Sequence, residues 1–88
     1  MKIEFRASFA KDLRKIKETS VKKQLLAVIW AVEEAGKLQV IKDLKKLRGG
    51  NDYYRIRVGD YRLGLIIEGK TLIFVRFLHR KDIYRFFP

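Results

Sequence analysis

The stretch Tyr53-Tyr54-Arg55-Ile56-Arg57-Val58-Gly59-Asp60-Tyr61-Arg62-Leu63 decides the fold of this 88-residue chain. Polar and apolar side chains alternate on both sides of Gly59-Asp60, and that dipeptide fits a two-residue hairpin turn. Such a turn pairs Val58 with Tyr61, Arg57 with Arg62, Ile56 with Leu63 and Arg55 with Gly64. Successive side chains point to opposite faces of a sheet. Ile56, Val58, Tyr61 and Leu63 therefore share a face suited to a core, and Arg55, Arg57 and Arg62 share the other. Like charges directly opposite one another destabilise a sheet, so Arg57 facing Arg62 does nothing for the fold. Solvent can dilute that cost on a plain solvated sheet face, but a bound polyanion that supplies the missing negative charge is the better explanation, and Gly64 beside Arg55 leaves room for a backbone or a base to approach.

Working outward, Gly69-Lys70 fits a second hairpin turn, which gives three strands over about 53–58, 61–67 and 71–78. In the last, Ile73, Val75 and Phe77 alternate with Phe74, Arg76 and Leu78. Both faces are largely apolar, so this strand is expected at the centre of the sheet, with the face of Arg76 left open. Gly49-Gly50-Asn51-Asp52 marks a break, and Leu38 to Leu47 reads as a turn of helix or an irregular connector. Upstream, Phe9, Leu13 and Ile16 form one helical stripe behind a possible Ser8 cap. Val21, Leu25, Val28, Ile29 and Val32 form a second stripe, over about Val21 to Ala35, with Gly36 as a left-handed stop. Trp30, at the edge of that stripe, is expected in the core or at a helix contact. Residues 2 to 6 alternate as a short strand, and Arg80 to Pro88 form a helical turn or a docking tail. The expected architecture is a single α+β domain over residues 1–88. It has an N-terminal strand, a two-helix hairpin, then a three-stranded antiparallel meander in one sheet with helices on one face, and a short C-terminal helix or tail.

Charge narrows the function. The chain carries 21 Lys and Arg against 10 Asp and Glu, a net +11. Seven of the nine arginines follow residue 47, with only two of the twelve lysines. The planar guanidinium grips phosphate with two parallel hydrogen bonds, whereas lysine is a hydrated point charge. Nucleic acid is the natural polyanion for such a surface. There is no cysteine, which excludes disulfides, thiolate metal sites and a cysteine nucleophile. The N-terminus lacks the apolar run of a signal peptide and no stretch could span a bilayer, so a cytoplasmic protein without membrane contact is expected. No zincin motif, phosphate-binding glycine loop or nucleophile elbow occurs.

The arginine-rich half contains only Asp52, Asp60, Glu68 and Asp82 as acids. A two-metal nuclease needs clustered carboxylates, so no metal or other cofactor is expected. RNA offers a metal-free route in which its own 2′-hydroxyl attacks the adjacent phosphorus. The protein must then align the groups, neutralise charge on the phosphorane and move two protons. Arginines suit the charge term. His79, Arg80 and Tyr84 lie at the exit of the central strand, where Tyr84 or His79 is a candidate donor to the leaving group. Arginine holds its proton too tightly to act readily as the base.

Three stretches, Leu47-Arg48-Gly49-Gly50, Tyr54-Arg55-Ile56-Arg57 through Gly59-Asp60-Tyr61-Arg62-Leu63, and His79-Arg80-Lys81-Asp82-Ile83-Tyr84-Arg85, together resemble the RelE branch of the RelE/ParE toxin superfamily. The resemblance covers nearly the whole chain. It implies a toxin of a type II toxin–antitoxin system that enters the ribosomal A site and cuts messenger RNA, with the ribosome, mRNA and a cognate antitoxin as partners. Carried over by position, Arg55 and Arg57 match the basic pair on the hairpin's first strand and Arg62 the arginine of the Tyr-Arg-Leu motif. Arg80 matches the arginine after the last strand and Tyr84 the C-terminal tyrosine. In the family these hold and polarise the scissile phosphate, and the tyrosine stacks on or activates the substrate nucleotide. His79 would share the proton work, as histidines do in some related toxins, and Arg48, Arg76, Lys81 and Arg85 are expected to extend the RNA-binding surface. The best-known form has lysines where this chain has Arg55 and Arg57, and a longer spacing between the positions of Arg80 and Tyr84. The alternatives are a ParE-like DNA gyrase poison and an inactive nucleic-acid- or antitoxin-binding module.

Overall fold

A computed structural model describes residues 1–48 and 52–88; the break expected at Gly49-Gly50-Asn51 lies outside the described residues. The hairpin forms in the expected register: β3 (Tyr53–Val58) and β4 (Tyr61–Glu68) pair Val58 with Tyr61, Arg57 with Arg62, Ile56 with Leu63 and Arg55 with Gly64. Gly59 and Gly69 adopt φ of 60° and 61°, the left-handed conformation that a tight hairpin turn requires and glycine tolerates. Beyond Gly69, β5 (Thr71–His79) returns antiparallel along β4. On its other side it pairs in parallel with β1 (Lys2–Phe5). Strand β2 (Leu44–Lys46) completes the sheet, whose order is β1-β5-β4-β3-β2 with β5 inside.

Between β1 and β2 run α1 (Ala7–Arg14), α2 (Thr19–Glu34) and a 3₁₀ turn, Leu38–Val40. Both helices turn their apolar stripes onto one face of the sheet. Phe9, Ile16, Leu25 and Val32 join Ile56, Val58, Leu63, Leu65, Phe74 and Phe77 in one cluster. The opposite face is covered only in part. The short helix α3 (Ile83–Phe86) lies there, and Ile73, Ile83 and Phe87 are buried outside the main cluster.

Several local expectations are corrected. Leu38 to Leu47 is not merely a connector, since Leu44, Lys45 and Lys46 pair with Ile56, Arg55 and Tyr54 as an edge strand. Ser8 sits inside α1 rather than at its cap, and its hydroxyl donates to the Val75 carbonyl at 2.6 Å. Gly36 is not a left-handed stop, because α2 ends in extended backbone at Ala35. Trp30 is 62% exposed, on the outward side of α2 beside Leu26. Strict alternation in β5 also fails. The register shifts between Gly64 and Leu65, which face Arg76 and Phe74. Val75 is therefore an extra residue, and such a bulge changes which face the following side chains point to. Phe74 and Phe77, three apart, consequently both join the helix-side core.

The same region explains α1's attachment. Strand β1 ends at Phe5, opposite Phe74, and the outer edge of β5 is open from Val75 onward. An open edge presents unpaired backbone groups, and α1 closes it. Ser8 takes the Val75 carbonyl, and Asp12 Oδ2 accepts the Phe77 N–H at 2.9 Å. Asp12 also receives Arg76 Nε at 2.7 Å and Nη2 at 3.1 Å. No helix among the described residues is long and apolar enough to cross a membrane.

Candidate nucleic-acid interface

Strand parity and the hairpin turn place Arg55, Arg57 and Arg62 on the sheet face away from α1 and α2. Each is held differently. Asp43, at φ 63°, turns the chain before β2 so that its carbonyl accepts Arg55 Nη1 at 2.8 Å. Its carboxylate lies 3.5 Å from Arg57 Nη2. Arg62 Nη1 donates to the carbonyls of Gly59 and Tyr61, both at 2.9 Å, so its fork folds back on the hairpin turn. Buried Arg55 Nε finds no acceptor among the described residues. An unmade hydrogen bond at a buried donor costs about 1–3 kcal/mol.

The chain after β5 brings up the remaining groups. The Arg80 amide donates to the Asp60 carbonyl at 2.8 Å, which fixes the exit of β5 against the hairpin turn. A turn closed by Asp82 N–H on His79 O leads into α3, where Tyr84 is 60% exposed. Electrostatics show the convergence. Burial first, and then the fields of Arg55, Arg57 and Arg80, push the Arg62 guanidinium below arginine's ordinary pKa, while Tyr84 acts in the opposite sense. Four guanidinium groups and a phenol therefore share one electrostatic neighbourhood.

His79 does not join them. It pairs with Tyr61 and its ring lies 5.5 Å from the Tyr61 ring, which stacks on Phe77. That is the helix side of the sheet, where Glu18, Ser20, Gln24, Asp60, Tyr61 and His79 line a polar cleft of about 350 Å³. The Lys81 amide donates to its Nδ1 at 3.2 Å. Arg76 is also spoken for: Asp12 holds it through two bonds, and its guanidinium carbon stands 5.5 Å from the centre of the Phe86 ring. The hydrogen bond to Asp12, ahead of the opposing effect of burial, raises its pKa. Lys81 and Arg85 are exposed around α3, and Arg48 is exposed just after β2.

Three contributors went unseen in the sequence. Asp43 anchors two arginines, and Lys45 lies opposite Arg55 on the cationic face through the β2 pairing. The third is Phe87, whose ring fills the space expected to admit a ligand beside Gly64. A Cβ there would stand 2.6 Å from Phe87 Cδ2. A glycine in a strand interior is the signal for such a close approach; the occupant proves to be the chain's own ring.

Comparison with known proteins places the chain in a family and supports its fold. Residues 3–84 match the family model for the ParE toxin of type II toxin–antitoxin systems, parDE. Toxin RelE3 of Methanocaldococcus jannaschii is 43% identical over the full length of both chains. The RelB–RelE antitoxin–toxin complex from Methanococcus jannaschii contains a chain of the same fold, with TM-score 0.81 and 40% identity over 97% of this chain and 99% of that one. The intact E. coli RelBE complex superposes with TM-score 0.69 over 89% of this chain and 94% of that one, at 23% identity, a likeness of fold. With its five-stranded sheet, arginine hairpin and C-terminal tyrosine turn, the chain belongs to the RelE/ParE superfamily of type II toxin–antitoxin toxins.

Proposed function

We propose that this toxin is a ribosome-dependent endoribonuclease that cuts messenger RNA in the A site, through Arg55, Arg57, Arg62, Arg80 and Tyr84. The observation that carries the reading is the placing of Arg55, Arg57 and Arg62 on one sheet face, where burial first, and then the fields of Arg55, Arg57 and Arg80, lower the pKa of Arg62. Repulsion of that kind opposes folding, and a phosphodiester placed among the four relieves it. In the reaction, the 2′-oxygen bonds to phosphorus as the bond to the 5′-oxygen breaks, leaving a 2′,3′-cyclic phosphate and a 5′-hydroxyl. The arginines stabilise the charge that develops on the non-bridging oxygens. Tyr84 delivers a proton to the departing 5′-oxygen. The proton lost from the 2′-hydroxyl goes to an acceptor outside the arginine set, whose members hold theirs. The exposed cations Lys45, Arg48, Lys81 and Arg85 extend the track for the RNA backbone.

Primer extension on a programmed ribosome tests this directly. Cuts confined to the A-site codon, present with the protein and absent without it, are the expected result. A second reading, binding and poisoning of DNA gyrase without RNA cleavage, draws on the ParE description of the matching family model. An intact message with ribosomes and protein shown competent to bind would favour it. As in the M. jannaschii RelB–RelE complex, the partner that restrains the toxin is a RelB-type antitoxin.

Two further outcomes follow from the site. Free RNA is expected to be cut poorly at physiological salt, because the face supplies charge but no matched base, leaving alignment to the ribosome. Efficient cleavage of a naked oligoribonucleotide would contradict that. Changing His79 to Ala is expected to leave ribosomal cleavage within about threefold of the parent, since side chains at this register point away from the arginines. A loss of two orders of magnitude would put the imidazole back in the proton path.

A further inference from the structure

We propose that Phe87, seated on Gly64, is a positioning residue that holds Tyr84 beside Arg62. This rests on the reading of Tyr84 and Arg62 as parts of the reacting site. The argument begins with a glycine that its backbone does not need. Gly64 lies in the middle of β4, and Gly59 and Gly69 are the described glycines with positive φ. Ordinary strand backbone accepts any side chain, and glycine inside a strand weakens it. The reason for glycine is space. A Cβ at this position would stand 2.6 Å from Phe87 Cδ2, 2.8 Å from Cγ and 2.9 Å from Cε2. The whole ring, not a flexible tip, occupies the site.

The ring is fixed on its other sides as well. Tyr53 meets it edge to face, with centroids 5.5 Å apart and planes at 84°. Phe87 is 3% exposed and Ile83, four residues earlier, is fully buried. The Phe87 amide donates to the Ile83 carbonyl at 2.8 Å. Between these two anchors stands Tyr84, largely in solvent, on a helix of four residues. A single turn does not hold itself together in water, so the placement of Tyr84 depends on Ile83 and Phe87. The seat is on the same strand as Arg62 and two residues from it, hence on the same face. Packing of an apolar ring against a missing side chain thereby sets the position of a polar group one turn away.

The test compares Gly64→Ala, Phe87→Ala and the double variant by single-turnover cleavage on programmed ribosomes, thermal denaturation and the NMR signals of ¹³C-labelled tyrosine. In Gly64→Ala the added methyl expels the ring, so the cleavage rate is expected to fall about 10- to 100-fold. Ribosome affinity should remain within about threefold, because the arginine charges that drive association are untouched. The Tyr84 ring signals should move toward those of an unstructured peptide, while those of Tyr54 and Tyr61 stay in place. The double variant should be no slower than Phe87→Ala, because the methyl then meets no ring. Phe87→Leu, which refills part of the seat, should recover part of the rate. An unchanged Tyr84 signal in Gly64→Ala, or single losses that multiply in the double variant, would overturn the proposal. If the parent protein cuts no ribosomal message, the functional reading fails, and the Tyr84 signals alone decide whether Phe87 positions that ring.

Discussion

Replacing Asp12 with alanine is expected to remove about 3 kcal/mol of stability, near the lower end for breaking a buried ion pair by deleting one partner. Asp12 is the one charged side chain that is buried among the described residues. Its carboxylate serves three donors at once: Arg76 Nε, Arg76 Nη2 and the backbone N–H of Phe77. Deletion leaves that amide without its acceptor at the open edge of β5 and leaves Arg76 with its charge uncompensated. The Arg76 side chain is 26% exposed and can turn partly toward water, which is why the lower figure applies. For a chain of this size the loss corresponds to a fall in Tm of more than about 10 °C. Urea denaturation of Asp12→Ala, Arg76→Ala and the double variant checks it. The double variant should lose clearly less than the sum, because each single change leaves the other partner stranded. Additive losses would mean that the two groups act independently and that the closure of the β5 edge lies elsewhere.

Asp12 also shows where the sequence stops being legible. On the helix it sits among Lys11, Arg14 and Lys15 and looks like one more solvated residue. Its partner is 64 positions away, and no local pattern announces it. The hairpin was legible for the opposite reason. Period-two alternation and a two-residue turn are local, and together they determine four cross-strand pairs and the face of three arginines. The central place of β5 followed from its two apolar faces. That same property hid the Val75 bulge, since a change of parity leaves no trace where both faces are apolar. The β2 strand escaped because Leu44-Lys45-Lys46 is too short and too basic to show alternation, and it exists only through its pairing with β3. His79 was grouped with Arg80 and Tyr84 by proximity in sequence, yet strand parity puts its side chain across the sheet. Gly64 reads in the sequence as room for a ligand's backbone or base, and the structure fills that room from within the chain. What approaches is Phe87, which sequence spacing alone could not bring there.

Changing Arg62 to alanine should lower A-site cleavage by about 10²- to 10³-fold, the usual cost of losing one preorganised donor to a developing oxyanion. Stability should change by less than about 1 kcal/mol, as for most substitutions outside a core. Two opposing effects nearly cancel. The variant loses the bonds from Nη1 to Gly59 O and Tyr61 O, but it also relieves the repulsion that Arg55, Arg57 and Arg80 exert on this guanidinium. Activity and stability are thus decoupled at this residue, in contrast to Asp12, where the charge is compensated inside the protein. Lysine at position 62 keeps the charge and loses the planar fork, so its rate should fall between those of the parent and alanine. Single-turnover cleavage on programmed ribosomes, read beside Tm, checks both halves. Alanine that cuts as fast as the parent would remove the arginine face from the reaction. Alanine that neither cuts nor inhibits growth, with Tm unchanged, would tie toxicity to the phosphate-binding cluster and leave gyrase binding without support. In that outcome the cluster would be a local repulsion that the free domain carries at small cost and that a bound phosphate relieves.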